Sequence, residues 1–332
     1  MAFLPNTDGC LTGVGSLPHD SDHRALALIE RYCPEVPFLP QFSRRGRFEQ
    51  MILEPFRGLE EFLSETGKIT VGKGRLEALR HAARTRELSA LSSAQWGSHL
   101  GNFHSSARAV KAQIVGPLTL LTQIEHTGAS LASTEEGPQL AFELLLRRAR
   151  ELMDAMSVIS APRILVFDEP VLPYLKKKDL LERSPILQTF VRLVRALRDD
   201  VTVGLHCCGA LEGEFFGVLW DRLEIELLSV PIEYSKRTVA KLPATWLPGF
   251  LDRGGSLMLG LVPTVRRGET PTVKRFVEKL HIEEQDLGVP LGTLLSRSML
   301  TAHCGLAFLS EADAEENFSR LEALQGILRE SV

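Results

Sequence analysis

The chain lacks a hydrophobic run of the roughly 20 residues that a membrane-spanning helix needs. Its start, MAFLPNTDGC, also lacks the basic residues and the apolar stretch of a secretory signal, so we expect a cytoplasmic location. Neither sign of charge dominates, because 38 basic residues are interspersed among 42 acidic ones for a net charge of −4. This balance disfavours nucleic acid and anionic membranes as partners. A small molecule or a specific protein is favoured instead.

Cysteine is scarce, and its pattern argues against structural disulfides. The five cysteines form an odd set without a repeating spacing: Cys10, Cys33, Cys207, Cys208 and Cys304. A disulfide framework is typical of small secreted chains with an even number of cysteines. We therefore expect reduced thiols or metal ligands.

Short apolar runs alternate with longer stretches of helical periodicity, without an internal repeat or a low-complexity tract. This alternation is typical of βα units around a parallel sheet. Strands are predicted at LTGVGSL, VPFLPQ, AQIVGP, RILVFDEP, VTVGLHC, IELLSV, SLMLGLV and MLTAHCGL. Eight strands suffice for a closed (β/α)8 barrel, and 332 residues with 44% hydrophobic side chains can form one as a single domain over residues 1–332. Two smaller domains are the alternative.

The longest periodic stretches predict helices on the outside of this barrel. Residues 138–160 and 184–199 carry apolar side chains every three or four positions. A last helix is predicted over about 311–329, with Ser310 as its N-terminal cap. Residues 56–110 are too long for one βα crossover and rich in turn and charged residues. They predict a helical insertion over one mouth of the barrel.

Residues suited to chemistry cluster where the predicted strands end. Gly15 and Ser16 follow LTGV, Asp168 follows RILVF, and His206 follows VTVGL. Active sites of parallel barrels lie at the C-terminal ends of the strands. We therefore expect these residues to meet at one mouth. For Asp168 the alternative is a cap or a salt bridge without contact to a substrate.

Three of these strand-end side chains form a candidate metal site. Side chains alternate along a strand, so His206 and Cys208 point the same way and Cys207 points the opposite way. Cys304 ends the last predicted strand, which closes beside the first and can reach across the mouth. Three protein ligands would leave a zinc ion one open position, as catalytic sites do. Ordinary buried thiols are the alternative.

A thiolate-rich zinc site favours chemistry at sulfur. Zinc deprotonates an incoming thiol at neutral pH, and the charge of the thiolate ligands keeps the bound sulfur nucleophilic. A hydrolytic zinc more often has histidine and carboxylate ligands. Transfer of an alkyl group to a thiol is therefore the favoured reaction.

The motifs GSLPH, VGPLTLL, FDEPVL, LHCCG and HCGL, in this order from about residue 11 to 320, resemble the catalytic barrel of cobalamin-independent methionine synthase. The wider superfamily includes uroporphyrinogen decarboxylase and the corrinoid-dependent methyltransferases. The resemblance implies a TIM barrel with zinc on His206, Cys208 and Cys304, and a substrate such as homocysteine bound through its sulfur. It also implies that Asp168 binds the substrate amino group.

The same resemblance implies further contacts and marks where the chain departs from the family. The backbone and hydroxyl around Gly15 and Ser16 would hold the substrate carboxylate. The family's fourth zinc ligand, a Glu, falls at Pro231, and Glu233 has the strand parity to replace it, with a solvated loop carboxylate as the alternative. A second acidic residue of the family is missing near residues 43–50. Three arginines stand there and suggest either an anionic substrate group or an ordinary surface: Arg44, Arg45 and Arg47.

Two further expectations concern the proton and the methyl donor. His19 follows Pro18 at the first strand end and could move a proton or bind the substrate, although a solvent-facing residue at a helix start is the alternative. The family's histidine loop after strand seven is replaced by GLVPTVRRG, which weakens the case for a folate. Because the chain resembles the single-barrel members, a methylated corrinoid protein is the expected donor and a methylfolate the second choice.

The sequence therefore predicts a zinc-dependent methyltransferase that acts on a small thiol such as homocysteine. Three alternatives remain open: a thiol methyltransferase of the coenzyme M type, a uroporphyrinogen-decarboxylase-like enzyme, and a non-catalytic accessory protein that binds a thiol or a metal.

Overall fold

The structure is a computed structural model that describes residues 4, 6–65, 69–86, 103, 107–174, 185–209, 222–231, 246–264 and 288–332. Glu233, the predicted fourth metal ligand, lies outside the described residues. Within these ranges no helix has both the length and the apolar composition to cross a bilayer.

Eleven strands occur in the described ranges: β1 (Cys10–Leu11), β2 (Leu63–Glu65), β3 (Ile69–Val71), β4 (Val110–Val115), β5 (Ile124–His126), β6 (Ala129–Ser130), β7 (Arg163–Asp168), β8 (Thr202–His206), β9 (Leu227–Pro231), β10 (Ser256–Val262) and β11 (Ser298–Ala302). Seven of them form a curled parallel sheet in the order β1-β11-β10-β9-β8-β7-β4. Strands β4 and β7 to β11 are buried along nearly their whole length, as expected for a sheet covered on both faces. The predicted α/β class is confirmed.

Eight helices of four or more residues surround this sheet in the same ranges: α1 (Asp22–Tyr32), α2 (Leu76–Thr85), α3 (Pro117–Gln123), α4 (Gly137–Met156), α5 (Pro185–Leu197), α6 (Trp246–Asp252), α7 (Leu291–Ser296) and α8 (Glu311–Glu330). Helices α4, α5 and α8 confirm the three helices predicted from periodicity. Their apolar side chains recur every three or four residues and face the sheet.

The predicted second strand, VPFLPQ, forms isolated bridges and no continuous strand. The amide of Leu39 donates to Lys111 O of β4 at 2.8 Å, and the amide of Gln41 donates to Gly15 O, just after β1, at 3.0 Å. Residues 37–41 thus bond to the edge strand β4 and to the segment that follows β1, the other edge strand. Pro37 and Pro40 have no amide hydrogen, so a regular ladder cannot form here.

The prediction of a helical insertion over residues 56–110 is wrong in part. Helix α2 lies there, but β2 and β3 form an antiparallel pair that continues through β5 to β6 in a second, four-stranded sheet. Arg80 and Arg84 of α2 contact Glu143 near the start of α4 at 3.3 and 3.4 Å. The described part of the insertion is therefore a mixed α/β layer against α4.

Helix α8 covers the junction of β1 with residues 37–41. The ring of Phe318 lies 5.8 Å from the Tyr32 ring of α1 and 6.3 Å from the Phe38 ring. All three side chains are buried. Aromatic contacts of this kind hold the last helix against α1 and residues 37–41.

Ser310 caps α8 as predicted, because its hydroxyl accepts from the Asp313 amide at 3.1 Å. We expect Ser310→Ala to lower the free energy of unfolding by about 1 kcal/mol, since an amide of the first turn loses its acceptor. Urea denaturation followed by circular dichroism measures the change. Ser310→Thr keeps a hydroxyl that can accept from the Asp313 amide and donate to the Asp313 carboxylate, so it should retain stability, and equal losses in both variants would contradict a capping role.

Candidate metal centre

Three predicted ligand side chains meet at the C-terminal ends of two strands. His206 is the last residue of β8, Cys208 follows two residues later, and Cys304 stands two residues after β11. His206 Nε2 lies 3.1 Å from Cys208 Sγ, and Cys208 Sγ lies 2.9 Å from Cys304 Sγ. The three candidate ligand atoms all lie within 4.8 Å of one another. Residues 96 positions apart in the chain thus form one cluster.

Cys207 is separate from this cluster, as strand alternation predicts. It is buried, and its Sγ contacts Gly209 O at 3.7 Å. Burial raises the pKa of its thiol to about 12. Cys207 is therefore an inert apolar side chain, whereas Cys208 faces the open end of the strands.

Neighbouring polar groups hold the cluster in place. His206 Nδ1 lies 2.8 Å from Ser229 Oγ on the adjacent strand β9, so the Nε2 atom faces the two sulfurs. The backbone of Cys304 is fixed by Thr264, whose Oγ1 accepts from the Cys304 amide at 3.1 Å. Outer contacts of this kind orient the ligands of protein metal sites.

The two sulfurs are thiols in hydrogen-bond contact, and both cysteines are free. This contact lowers the pKa of Cys304 and raises the pKa of Cys208. Proximity to His206 also favours the Cys304 thiolate. The contact therefore favours one negative charge on the sulfur pair.

The donor set fits a zinc ion. An imidazole nitrogen and two cysteine sulfurs are ligand types that zinc prefers, and the thiolate-forming pair would neutralise its charge. The sulfurs border a cavity, so their outer side is accessible to a further ligand. A closed structural site would instead be surrounded by protein.

The cluster lies in a cavity of about 480 Å³. Its polar lining includes Ser16, Gln41, Gln113 and Asp168, and its apolar lining includes Val14, Met51, Ile52, Pro170, Ala307 and Phe308. Phe308 is 95% exposed and stands at the rim. The cavity has the size and the mixed lining typical of small-molecule sites.

Asp168 contributes a buried carboxylate to this cavity. Its Oδ2 accepts a hydrogen bond from Gln113 Nε2, whereas its Oδ1 is buried without a hydrogen-bond partner. Burial raises the pKa of Asp168 to about 6, although His206 and the Gln113 amide favour the ionised form. An unpaired buried carboxylate oxygen is costly unless a ligand supplies a donor.

Ser16 lines the cavity beside the three candidate ligands, and Gly15 precedes it in the chain. Ser16 O accepts from the Leu306 amide at 2.8 Å. A Cβ at Gly305 would overlap Ser16 Oγ, so any larger residue next to Cys304 would displace the Ser16 hydroxyl. Gly15 has φ 155°, which side chains rarely adopt, and brings the backbone close to Gln113.

Glu169, the neighbour of Asp168 in the motif FDEP, has a structural role. Its carboxylate accepts from the amides of Leu118 and Thr119 at 2.8 and 2.7 Å and so caps α3. Burial raises the pKa of Glu169 to about 8. Of the acidic pair, only Asp168 lines the cavity.

His19 lies apart from the residues that line the cavity. It is buried beside α8, with Nε2 4.0 Å from Glu311. Burial lowers its pKa, against the effect of Glu311. The placement gives His19 no contact with the metal cluster.

The three arginines of SRRGRFEQ have different surroundings. Arg44 lines the metal cavity and donates to Leu309 O at 2.7 Å. Arg45 forms an ion pair with Asp22, and both Arg45 and Arg47 line a neighbouring cavity of about 700 Å³. Of the three, only Arg44 can therefore contact a ligand of the metal cavity.

The sequence patterns did not predict the residues that hold the site residues in position through hydrogen bonds. Lys111 and Gln113 stand on one face of a buried strand, and their alternation in VKAQIV was the available signal. Ser229 pairs with His206 in the strand register, which no local pattern encodes. Thr264 lies just after β10 and depends on tertiary contact alone.

No protein-family model and no curated protein matches the chain. Among solved structures, the chain is similar to the putative vitamin-B12 independent methionine synthase from Listeria monocytogenes, with a TM-score of 0.56 and 15% identity over 92% of this chain and 84% of that chain. A B12-independent methionine synthase from Shewanella sp. W3-18-1 in complex with selenomethionine aligns with a TM-score of 0.49 and 16% identity, over 80% of this chain and 71% of that chain. At such low identity, the Listeria likeness shows a shared fold.

Proposed function

We propose that the protein is a zinc-dependent methyltransferase that methylates a small thiol, with homocysteine as the first candidate. The observation that carries the proposal is the cluster of His206 Nε2, Cys208 Sγ and Cys304 Sγ within 4.8 Å at a cavity. Two sulfur ligands favour chemistry at a thiol over hydrolysis. The choice of reaction also draws on the motif resemblance and on the fold likeness to the Listeria protein.

We further infer one closed eight-stranded barrel that forms a single domain. Residues 37–41 would be its second strand, because their amides and carbonyls bond to β4 on one side and to the end of β1 on the other. Ser16 and Cys304 already lie close together after the paired strands β1 and β11, so closure at residues 37–41 would complete the wall of the same mouth.

The metal ligands would be His206, Cys208 and Cys304. When bound, zinc would lower the pKa of a substrate thiol so that a thiolate is present at neutral pH. Ser229 would keep Nε2 of His206 directed at the site through its bond to Nδ1. The same proposal includes Glu233 as a fourth ligand, and substitution of Glu233 would test this.

The remaining cavity residues would bind the rest of the acceptor. Asp168 Oδ1, buried and without a partner, would accept from the amino group. The hydroxyl of Ser16 and the backbone at Gly15 would hold the carboxylate. These contacts would position the acceptor sulfur for attack on the methyl carbon, and such positioning provides much of the acceleration in bimolecular reactions.

In the reaction the acceptor thiol loses its proton to solvent, and an electron pair of its sulfur forms a bond to the methyl carbon. The bond from that carbon to the donor breaks, and its electron pair stays on the demethylated donor. The donor would be a methylated corrinoid or a methylated folate. It would approach through the open side of the cavity, past the exposed ring of Phe308.

The test is methyl transfer to homocysteine by zinc-loaded protein, with methylcobalamin and methyltetrahydrofolate as separate donors. We expect methionine with one donor and loss of the activity after chelation. Activity that survives complete removal of metal would refute a zinc enzyme and favour the decarboxylase-like alternative. Homocysteine binding without turnover with either donor would favour an accessory role.

A second acceptor is supported by Arg44, whose guanidinium lines the metal cavity. A thiol with a sulfonate group, such as coenzyme M, could pair with this charge. The same assay with coenzyme M in place of homocysteine distinguishes the two acceptors. Faster methylation of coenzyme M would assign the protein to that class.

A further inference from the structure

Lys111 is a buried lysine in the second position of β4, and neither the metal cluster nor the proposed acceptor contacts it. Its Nζ donates to Val14 O at 2.7 Å and to Gln113 Oε1 at 2.8 Å. Burial lowers the pKa of Lys111, whereas the negative charge of Asp168 raises it and favours the ammonium form. Burying the charge of a lysine costs free energy, so a lysine at this position is expected to have a specific role.

The hydrogen bonds from Lys111 to Gln113 and from Gln113 to Asp168 connect Lys111 with the cavity. An ammonium group has donors only, so the Gln113 atom that it contacts must be the amide oxygen. The amide nitrogen of Gln113 then faces Asp168 Oδ2 and donates to it. An amide nitrogen needs an acceptor, so Oδ2 must be an unprotonated oxygen. Lys111 thus determines which way the Gln113 amide points and, through it, which Asp168 oxygen is occupied.

The other Asp168 oxygen is left for a ligand. Oδ1 is buried and has no hydrogen-bond partner, while Asp168 and Gln113 both line the metal cavity. The positive charge of Lys111, relayed by a neutral amide, compensates the buried carboxylate without occupying Oδ1. A flipped amide would place its oxygen against the carboxylate and repel it.

We propose that Lys111 is a positioning residue that, through Gln113, holds Asp168 with Oδ1 directed at the amino group of the acceptor. The inference rests on the proposed function, because it assumes an acceptor with an amino group. The preference of the site for thiols with an amino group would then depend on Lys111, which does not contact the acceptor.

The test compares two ligands that differ by one amino group, homocysteine and 4-mercaptobutanoate, by calorimetric titration of the zinc-loaded protein. In Lys111→Met, we expect the affinity for homocysteine to fall by about tenfold to a hundredfold, the range for a lost hydrogen bond to a charged group. The affinity for 4-mercaptobutanoate should stay close to that of the wild type. The ratio of the two affinities is the diagnostic quantity, because a general loss of packing lowers both.

Gln113→Glu provides a second variant if Lys111→Met does not fold. It keeps the shape of the side chain and an acceptor for Lys111 but removes the donor to Asp168, so the same selective loss is expected. Ile114→Val is the matched control, because Ile114 is equally buried in β4 and points to the opposite face. Its affinity ratio should equal that of the wild type.

Equal losses for both ligands in the variants, or no loss for either, would overturn the role of Lys111. A wild-type protein that binds both ligands equally, or neither, would instead refute the proposed acceptor, and with it this inference. The two failures are distinguishable because the second is visible before any substitution is made.

Discussion

Cys304→Ser is expected to abolish stoichiometric zinc binding. Cys304 supplies one of three candidate ligand atoms, and its Sγ lies 2.9 Å from Cys208 Sγ. The hydroxyl of serine stays protonated at neutral pH and is a poor zinc ligand compared with a thiolate. Loss of an outer contact alone lowers zinc affinity by about 10- to 100-fold, so loss of a direct ligand should exceed this range. Elemental analysis after gel filtration measures zinc per chain.

Cys208→Ser should give the same loss, whereas Cys207→Ser is the matched control. Cys207 is adjacent in the chain and buried, but its Sγ contacts Gly209 O, away from the cluster. The control should retain one zinc per chain. Full zinc content in Cys304→Ser would remove this residue from the site and, with it, the joint metal site at the ends of β8 and β11 on which the proposal depends.

Arg148→Met is expected to lower the free energy of unfolding by about 3–5 kcal/mol, the cost of removing one partner from a buried ion pair. Arg148 of α4 is buried between two carboxylates: its Nε lies 3.1 Å from Glu54 Oε1, and its Nη1 lies 2.5 Å from Glu151 Oε2. Both carboxylates are buried as well. Without the guanidinium, two negative charges would remain close together in the interior.

Urea denaturation followed by fluorescence measures this loss, and Arg150→Met is the control. Arg150 lies on the same helix but is exposed, so its substitution should change stability by less than about 0.5 kcal/mol. Adding Glu54→Gln and Glu151→Gln to Arg148→Met should recover part of the loss. A loss below about 1 kcal/mol in Arg148→Met would contradict a buried ion-pair cluster.

The Arg148 cluster also connects the outer helix layer with the metal cavity. Glu54 Oε2 accepts from Gln41 Nε2 at 2.8 Å, and Gln41 lines the cavity. Substitution of Arg148 should therefore disturb the cavity wall in addition to the fold.

Local sequence patterns predicted the features that depend on the geometry of a single strand or helix end. Alternation along β8 separated Cys208 from Cys207, and the Ser310 cap followed from preference for a first-turn acceptor. The parallel order of the strands then predicted that Cys304 would approach His206. These inferences need only the period of a strand and the closeness of strand ends.

Other features depend on contacts between residues far apart in the chain, or on properties of single residues that a hydrophobic pattern does not show. The strand VPFLPQ looked regular by hydrophobicity, but Pro37 and Pro40 remove amide donors and reduce it to bridges. The insertion was expected to be helical, although Ile69 and Val71 are β-branched, as is Thr70, and such residues favour strands. The partner of Asp168, Gln113, became visible only when strands β4 and β7 were placed side by side.

Because Gly305 has no side chain, the loop after β1 and the loop after β11 pack closely against each other at the cavity. Ser16 Oγ occupies the volume where a Cβ of residue 305 would stand, and Ser16 O is bonded to the Leu306 amide. In the proposed function the Ser16 loop would hold the acceptor carboxylate, so a shift of the Cys304 backbone on metal uptake would be transmitted to it. Metal occupancy and acceptor affinity would then depend on the same pair of loops.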